Sequence, residues 1–184
     1  MKKQVIFIHS AGEQGALQGS SRLAEYLHDE LDEWYRLLLP KMPFPENPKY
    51  ELWREKLDQE LSALDGEVIL IGHSLGGSVL IKYLSEEAFD LSIIGLFLIA
   101  APYWSKDDTD WHSSEFMLPE NFASKLPQIS KIFLYHSSND EIVPVSHLNH
   151  FKEKLSDATA RVLPGNEHFF YEGLPEIVDD LKNF

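Results

Sequence analysis

The sequence predicts an α/β protein: three layers, with a mostly parallel sheet of about six strands between helices on both faces. Short apolar runs rich in Val, Ile, Leu and Phe recur along the chain, and most lack the apolar–polar alternation of a half-exposed strand. That is the look of strands covered on both faces. Segments with apolar residues at helical spacing lie between these runs. The strand–helix alternation holds almost throughout, which argues parallel neighbours joined by helical crossovers. With 184 residues, the chain is expected to form one domain over 1–184, long enough to bury a core.

The first strand is expected at Gln4–His9, around Val5-Ile6-Phe7-Ile8. Lys2 and Lys3 precede it, but His9 ends the run too early for a secretory signal. Leu23, Leu27 and Leu31 repeat every four residues and give the first helix its apolar stripe. The second strand is expected at Trp34–Leu39. Four prolines in Pro40–Lys49 then make a stiff loop. Trp53, Leu57, Leu61 and Leu64 mark the second helix, and Glu67–Gly72 the third strand. A third helix carries Val79, Leu80, Tyr83 and Leu84, and a fourth strand covers Ser92–Ala100. Ala101–Pro127 breaks the rhythm and holds Tyr103, Trp104, Trp111 and Phe116. It is either a lid over a site or an aromatic cluster packed on the core. Strands at Lys131–His136 and Thr159–Leu163 come next, with helices at Ser146–Leu155 and Pro175–Asn183.

A formal charge of −14 makes nucleic acid and anionic membrane surfaces poor partners. No cysteine is present, so disulfides, thiolate catalysis and zinc–thiolate sites are excluded. No apolar run approaches a membrane span. These features set the expectation of a cytoplasmic protein. Phosphate-binding and dinucleotide-binding glycine loops and the H-E-x-x-H zinc motif are missing, so no cofactor and no metal is expected.

The chemistry concentrates in Gly72-His73-Ser74-Leu75-Gly76-Gly77, directly after Val68-Ile69-Leu70-Ile71 and before a helical stretch. This is the G-x-S-x-G nucleophile elbow in its expected setting. A sharp strained turn lifts the serine hydroxyl clear, and neighbours at two positions must lack a Cβ. The helix start then offers unpaired N–H groups to developing negative charge.

A serine nucleophile needs a base, and the acid precedes the histidine in chains of this kind. Asp140 comes after the fifth strand and His168 after the sixth, both on the side where Ser74 should stand. Rivals for the acid are Glu141 and the group Asp107, Asp108 and Asp110. His73 lies within the elbow, where it packs or contacts substrate, and His136 can support the acid loop. His147 and His150 stand three apart on a helix, where a solvated face outweighs a metal pair lacking a third ligand. His112 lies in the lid candidate and His28 on an exposed helix face. Two backbone donors should hold the oxyanion. One is expected from Leu75 and the other from His9-Ser10-Ala11-Gly12, with Ala11 ahead of Ser10. His9, Ser10, His73, Tyr103 and Trp104 are the expected substrate contacts.

At these residues the chain resembles the α/β-hydrolase superfamily over almost its whole length, in a minimal form without the usual first two strands or a large cap. Within it, the chain is similar to the small serine hydrolases grouped with retinoblastoma-binding protein nine and YdeN. The narrower likeness rests on Leu39-Pro40-Lys41-Met42-Pro43-Phe44-Pro45 followed by Trp53. It rests also on Ile99-Ala100-Ala101-Pro102, on Asp140-Glu141-Ile142-Val143-Pro144 and on His168-Phe169. The resemblance implies a Ser74–Asp140–His168 triad and esterase-like activity. The pattern departs at Ser10, where glycine is usual, and at Asn166-Glu167, where glycine usually precedes the histidine.

The expected function is cleavage of a small carboxylic ester, thioester or amide through an acyl-enzyme on Ser74. The same acyl-enzyme can pass its acyl group to an alcohol or amine. The alternative is a catalytically weak or inactive hydrolase scaffold that binds proteins through the aromatic and proline loops.

Overall fold

The computed structural model describes residues 2–31, 33–88, 90–106 and 115–184. Six strands form one sheet: β1 (Lys3–Ile8), β2 (Tyr35–Leu38), β3 (Glu67–His73), β4 (Ser92–Ile99), β5 (Lys131–Ser137) and β6 (Thr159–Leu163). The helices are α1 (Ser21–Glu30), α2 (Tyr50–Ser62), α3 (Leu75–Glu86), α4 (Phe122–Lys125), α5 (Ser146–Lys154) and α6 (Pro175–Leu181). Every strand pair is parallel, in the order β2-β1-β3-β4-β5-β6. The expected strands agree to within a residue at each end. His9 and Ala100 fall outside the ladders, while His73 and Ser137 join them, because pairing with the neighbouring strand decides where a strand stops. α4 lies inside the stretch read as irregular; four residues are too few to show a helical stripe.

The alternate residues of each central strand enter two different cores. Val5, Phe7, Ile69, Ile71, Phe97 and Ile99 pack with Leu23, Ala24 and Leu27 of α1 and Ile177, Val178 and Leu181 of α6. Ile6, Ile8, Val68, Leu70, Leu96 and Leu98 pack with α2, α3 and α5 through residues such as Trp53, Leu57, Val79, Leu80 and Phe151. This two-sided burial is why β1, β3 and β4 read as unbroken apolar runs. Each fully buried Ile, Leu, Val or Phe is worth about 1.5–3 kcal/mol, so β3 is a stiff support for the turn at its carboxyl end.

The strand order reverses at β1. The chain leaves β1 through α1 toward β2, then returns past β1 to β3. The connections that leave β1 and β3 therefore diverge at their carboxyl ends, which opens a crevice there. The register Ile8↔Gly72 sets His9 beside His73 at its mouth. Among the described residues, no helix is long and apolar enough to cross a membrane.

Candidate active site

Ser74 stands between the last residue of β3 and the first of α3, at φ 52° and ψ −124°. An L-residue held there costs about 1–3 kcal/mol and persists only where its surroundings impose it. The surroundings are glycines. A Cβ on Gly76 would lie 2.3 Å from the Ile8 carbonyl oxygen, and one on Gly72 would lie 2.5 Å from the Gly77 Cα. The helix thus starts in direct contact with the backbone of β1 and β3, and Ser74 is pressed outward. Its own N–H is held by the Ile99 carbonyl at 2.8 Å. Ser74 remains partly exposed, while its neighbours His73 and Leu75 are buried.

The loops after β5 and β6 bring two further side chains to it. Asp140 Oδ1 accepts the Ile142 N–H at 2.8 Å and the Val143 N–H at 2.9 Å. Its Oδ2 lies 2.7 Å from His168 Nδ1. A carboxylate only accepts, so Nδ1 carries the proton and Nε2 is left as an acceptor. Nε2 faces Ser74 Oγ at 3.1 Å. Burial pushes the Asp140 carboxyl up, but the bonds from His168, Val143 and Ile142 outweigh it and hold the group below the usual carboxylate range. His136 braces this loop: its ring donates to the Val143 carbonyl at 2.6 Å and lies 3.5 Å from Asp140 Oδ2. Ser137 Oγ donates to the Glu167 carbonyl at 2.5 Å and ties the acid loop to the histidine segment.

The expected oxyanion donors separate cleanly. Among the described residues, the N–H groups of Leu75 and Ala11 enter no hydrogen bond. The Ser10 N–H is committed to Ser20 Oγ at 2.8 Å, so Ser10 is withdrawn as a donor. Ser10 is also buried, with its hydroxyl 3.4 Å from His9 Nδ1. The expected substrate contact of His73 is corrected: its side chain is fully buried, with Nδ1 2.6 Å from Ser20 Oγ and Nε2 2.7 Å from the His168 carbonyl, so neither ring nitrogen is left to bond a ligand.

His9 turns toward α1, with Nε2 3.3 Å from Ser21 Oγ. It helps line a cavity of about 420 Å³ whose walls include Leu17, Ala24, Leu39 and Pro40. Tyr103 and Trp104 are half-buried. Tyr103 packs edge-on against Phe151 at 5.0 Å between ring centres, and Trp104 lies 5.5 Å from Phe116. The described parts of the stretch after β4 are therefore aromatic packing on the core. Asp107, Asp108, Asp110, Trp111 and His112 lie outside the described residues. Glu141 is exposed, while Asp140 is buried and bonded to His168. His147 Nδ1 takes the Tyr103 N–H at 3.0 Å, a structural task. Among the described residues, no group of three His, Asp or Glu is placed to hold a metal ion.

Sequence reasoning missed Ser20. It occupies the N-cap place of α1, where a serine reads as a helix cap, yet its hydroxyl caps nothing and serves His73 instead. Only the packing of α1 against the elbow reveals this.

A family model described as serine hydrolase matches residues 24–173, a range that holds Ser74, Asp140 and His168 but not the loop with Ala11. No curated protein sequence matches the chain. Among solved structures, the chain is similar to the ydeN gene product from B. subtilis. The identity is 21%, over 99% of this chain and 98% of that one, with a TM-score of 0.73. It is similar also to a putative ydeN-like hydrolase from Pectobacterium atrosepticum, at 14% identity over 100% and 90% of the two chains and a TM-score of 0.73. An esterase from Rhodococcus sp. ECU1013 aligns at 16% identity over 100% and 90%, with a TM-score of 0.71. At these identities the likeness is one of fold.

Proposed function

Because the chain belongs to the serine hydrolase family, we propose that it cleaves a small carboxylic ester, thioester or amide through an acyl-enzyme on Ser74. The observation that carries this reading is the continuous line from Asp140 Oδ2 through His168 to Ser74 Oγ, at 2.7 and 3.1 Å.

The steps are set by the donors and acceptors. His168 Nε2 takes the Ser74 proton as Oγ attacks the substrate carbonyl, and Asp140 steadies the imidazolium that forms. The carbonyl oxygen becomes an anion, and the N–H groups of Leu75 and Ala11 receive it. Both lie where no rearrangement of bonds is needed to free them, which is what such stabilisation requires. The tetrahedral adduct collapses, His168 returns the proton to the leaving alcohol, thiol or amine, and the acyl group stays on Oγ. Water then attacks with His168 again as base, releasing the acid and restoring Ser74. The strained position of Ser74 favours this chemistry, since it keeps Oγ between the helix start and the base. A purely binding role requires neither the strain nor the buried acid.

The test is labelling of the native protein by a fluorophosphonate, with mass spectrometry of the modified peptide. A single adduct on Ser74 is expected. Native protein that takes no label there overturns the reading. Rates across esters and thioesters of graded acyl length then define the substrate.

A further inference from the structure

We propose that His73 is a positioning residue for this reaction, joining the segment that carries Ala11 to the segment that carries His168, with Ser20 fixing its tautomer. The proposal rests on the acyl-enzyme reading given above.

The polarity of the chain of bonds is forced. The His168 carbonyl can only accept, so His73 Nε2 carries the hydrogen across their 2.7 Å contact. Nδ1 of the same neutral ring is then an acceptor. Ser20 Oγ, at 2.6 Å, donates its single proton to it. The lone pairs of Ser20 Oγ in turn receive the Ser10 N–H at 2.8 Å. Every link therefore points one way, from the backbone before Ala11 to the backbone of His168. The ring is fully buried, and burial is the main reason its pKa falls to about 3, which keeps it neutral.

Topology makes this link necessary. No ladder joins β1 to β6; three strands lie between them in the sheet. The oxyanion loop comes after β1 and the base after β6, so the two approach Ser74 from opposite sides. His73, last in β3, is in reach of both. Its ring also packs on the rings of His168 at 5.2 Å and Phe169 at 5.9 Å between centres. An apolar side chain would fill this space but would strand the Ser20 hydroxyl and the His168 carbonyl without partners. A histidine supplies one donor and one acceptor at opposite edges of a rigid ring, which matches the two partners present.

Ser20→Ala in the full chain tests the idea, because Ser20 is fully buried and its hydroxyl bonds Ser10 and His73, not Ser74. The expected result is a kcat lower on the order of 10- to 100-fold with KM within twofold, the mark of a displaced reacting group. Nitrogen-15 NMR of the wild type should show His73 as the Nε2–H tautomer. A kcat within twofold of wild type in folded Ser20→Ala overturns the proposal. So does a wild-type His73 that carries its proton on Nδ1, a result that stands even if the variant fails to fold. If wild-type Ser74 takes no fluorophosphonate while His73 shows the Nε2–H tautomer, the acyl-enzyme reading fails, and His73 loses the reaction it serves although the bond chain itself stands.

Discussion

Asp140 divides its two oxygens between two jobs. Oδ1 is occupied by the N–H groups of Ile142 and Val143, which fixes the carboxylate in its loop, and Oδ2 is left for His168. In Asp140→Asn the loop bonds keep an acceptor at Oδ1, and the amide NH₂ is then presented to His168 Nδ1. That favours the tautomer with its proton on Nε2, which cannot accept from Ser74. Under the proposed mechanism, kcat falls on the order of 10⁴-fold, read by steady-state hydrolysis of an ester that the wild type cleaves. An unchanged rate would move the role of acid to another carboxylate. At this scale the sequence was legible where chain order and local motif carry the information. Ser74 is marked by its glycines, and Asp140 and His168 by their places after strands. Ser20 was not legible, because its partner His73 lies 53 residues away and only folding brings them together.

The elbow works as a joint between elements. Gly76 lets α3 begin against the end of β1, with no room for even a methyl group: an alanine Cβ would stand 2.3 Å from the Ile8 oxygen and 2.6 Å from the His9 oxygen. Both are backbone atoms in or beside the sheet and cannot swing aside. Gly76→Ala is expected to destabilise the fold by about 1–3 kcal/mol, as other overpacked cores do, and to reduce activity by shifting the loop that carries Ala11. Urea unfolding measures the first effect, and a midpoint equal to wild type would contradict the packing described. Apolar spacing, together with the strand–helix alternation, placed five of the six helices. It could not give α4, and it placed Leu31 and Leu64 in helices that end at Glu30 and Ser62. Helix ends depend on caps and on what the next segment must reach, and neither is written in the apolar spacing.

Across the molecule, three buried histidines share one electrostatic bias. Burial lowers the pKa of His9, of His136 and of His73, the last to about 3. In the unfolded chain each titrates at about 6.5. Below that pH the unfolded state binds protons that the native state refuses, so native stability is complete above the unfolded value and declines as pH falls toward the folded one. Each such group contributes a slope of up to about 1.4 kcal/mol per pH unit. Asp140 adds to the loss only at lower pH: its depressed pKa stabilises the fold fully above the ordinary value of about 3.9, and that contribution is lost as pH falls from there through the lowered folded value. Unfolding free energy measured by urea should therefore fall between pH 7 and pH 5, and less steeply in His73→Asn. A curve flat over this range would show that the histidines are not held neutral.

The sequence by itself determined the α/β class, the six strands and the three residues of the proposed relay, because hydrophobic period, glycine spacing and chain order are local or ordinal properties. Only the tertiary structure decided what each polar group touches. It buried the His73 ring between Ser20 and the His168 carbonyl, gave the Ser10 N–H to Ser20, and left the N–H of Ala11 without a partner among the described residues. Hydrogen-bond partners are chosen by which strands lie side by side and by which loops share a face, and that choice is made by packing the whole sheet.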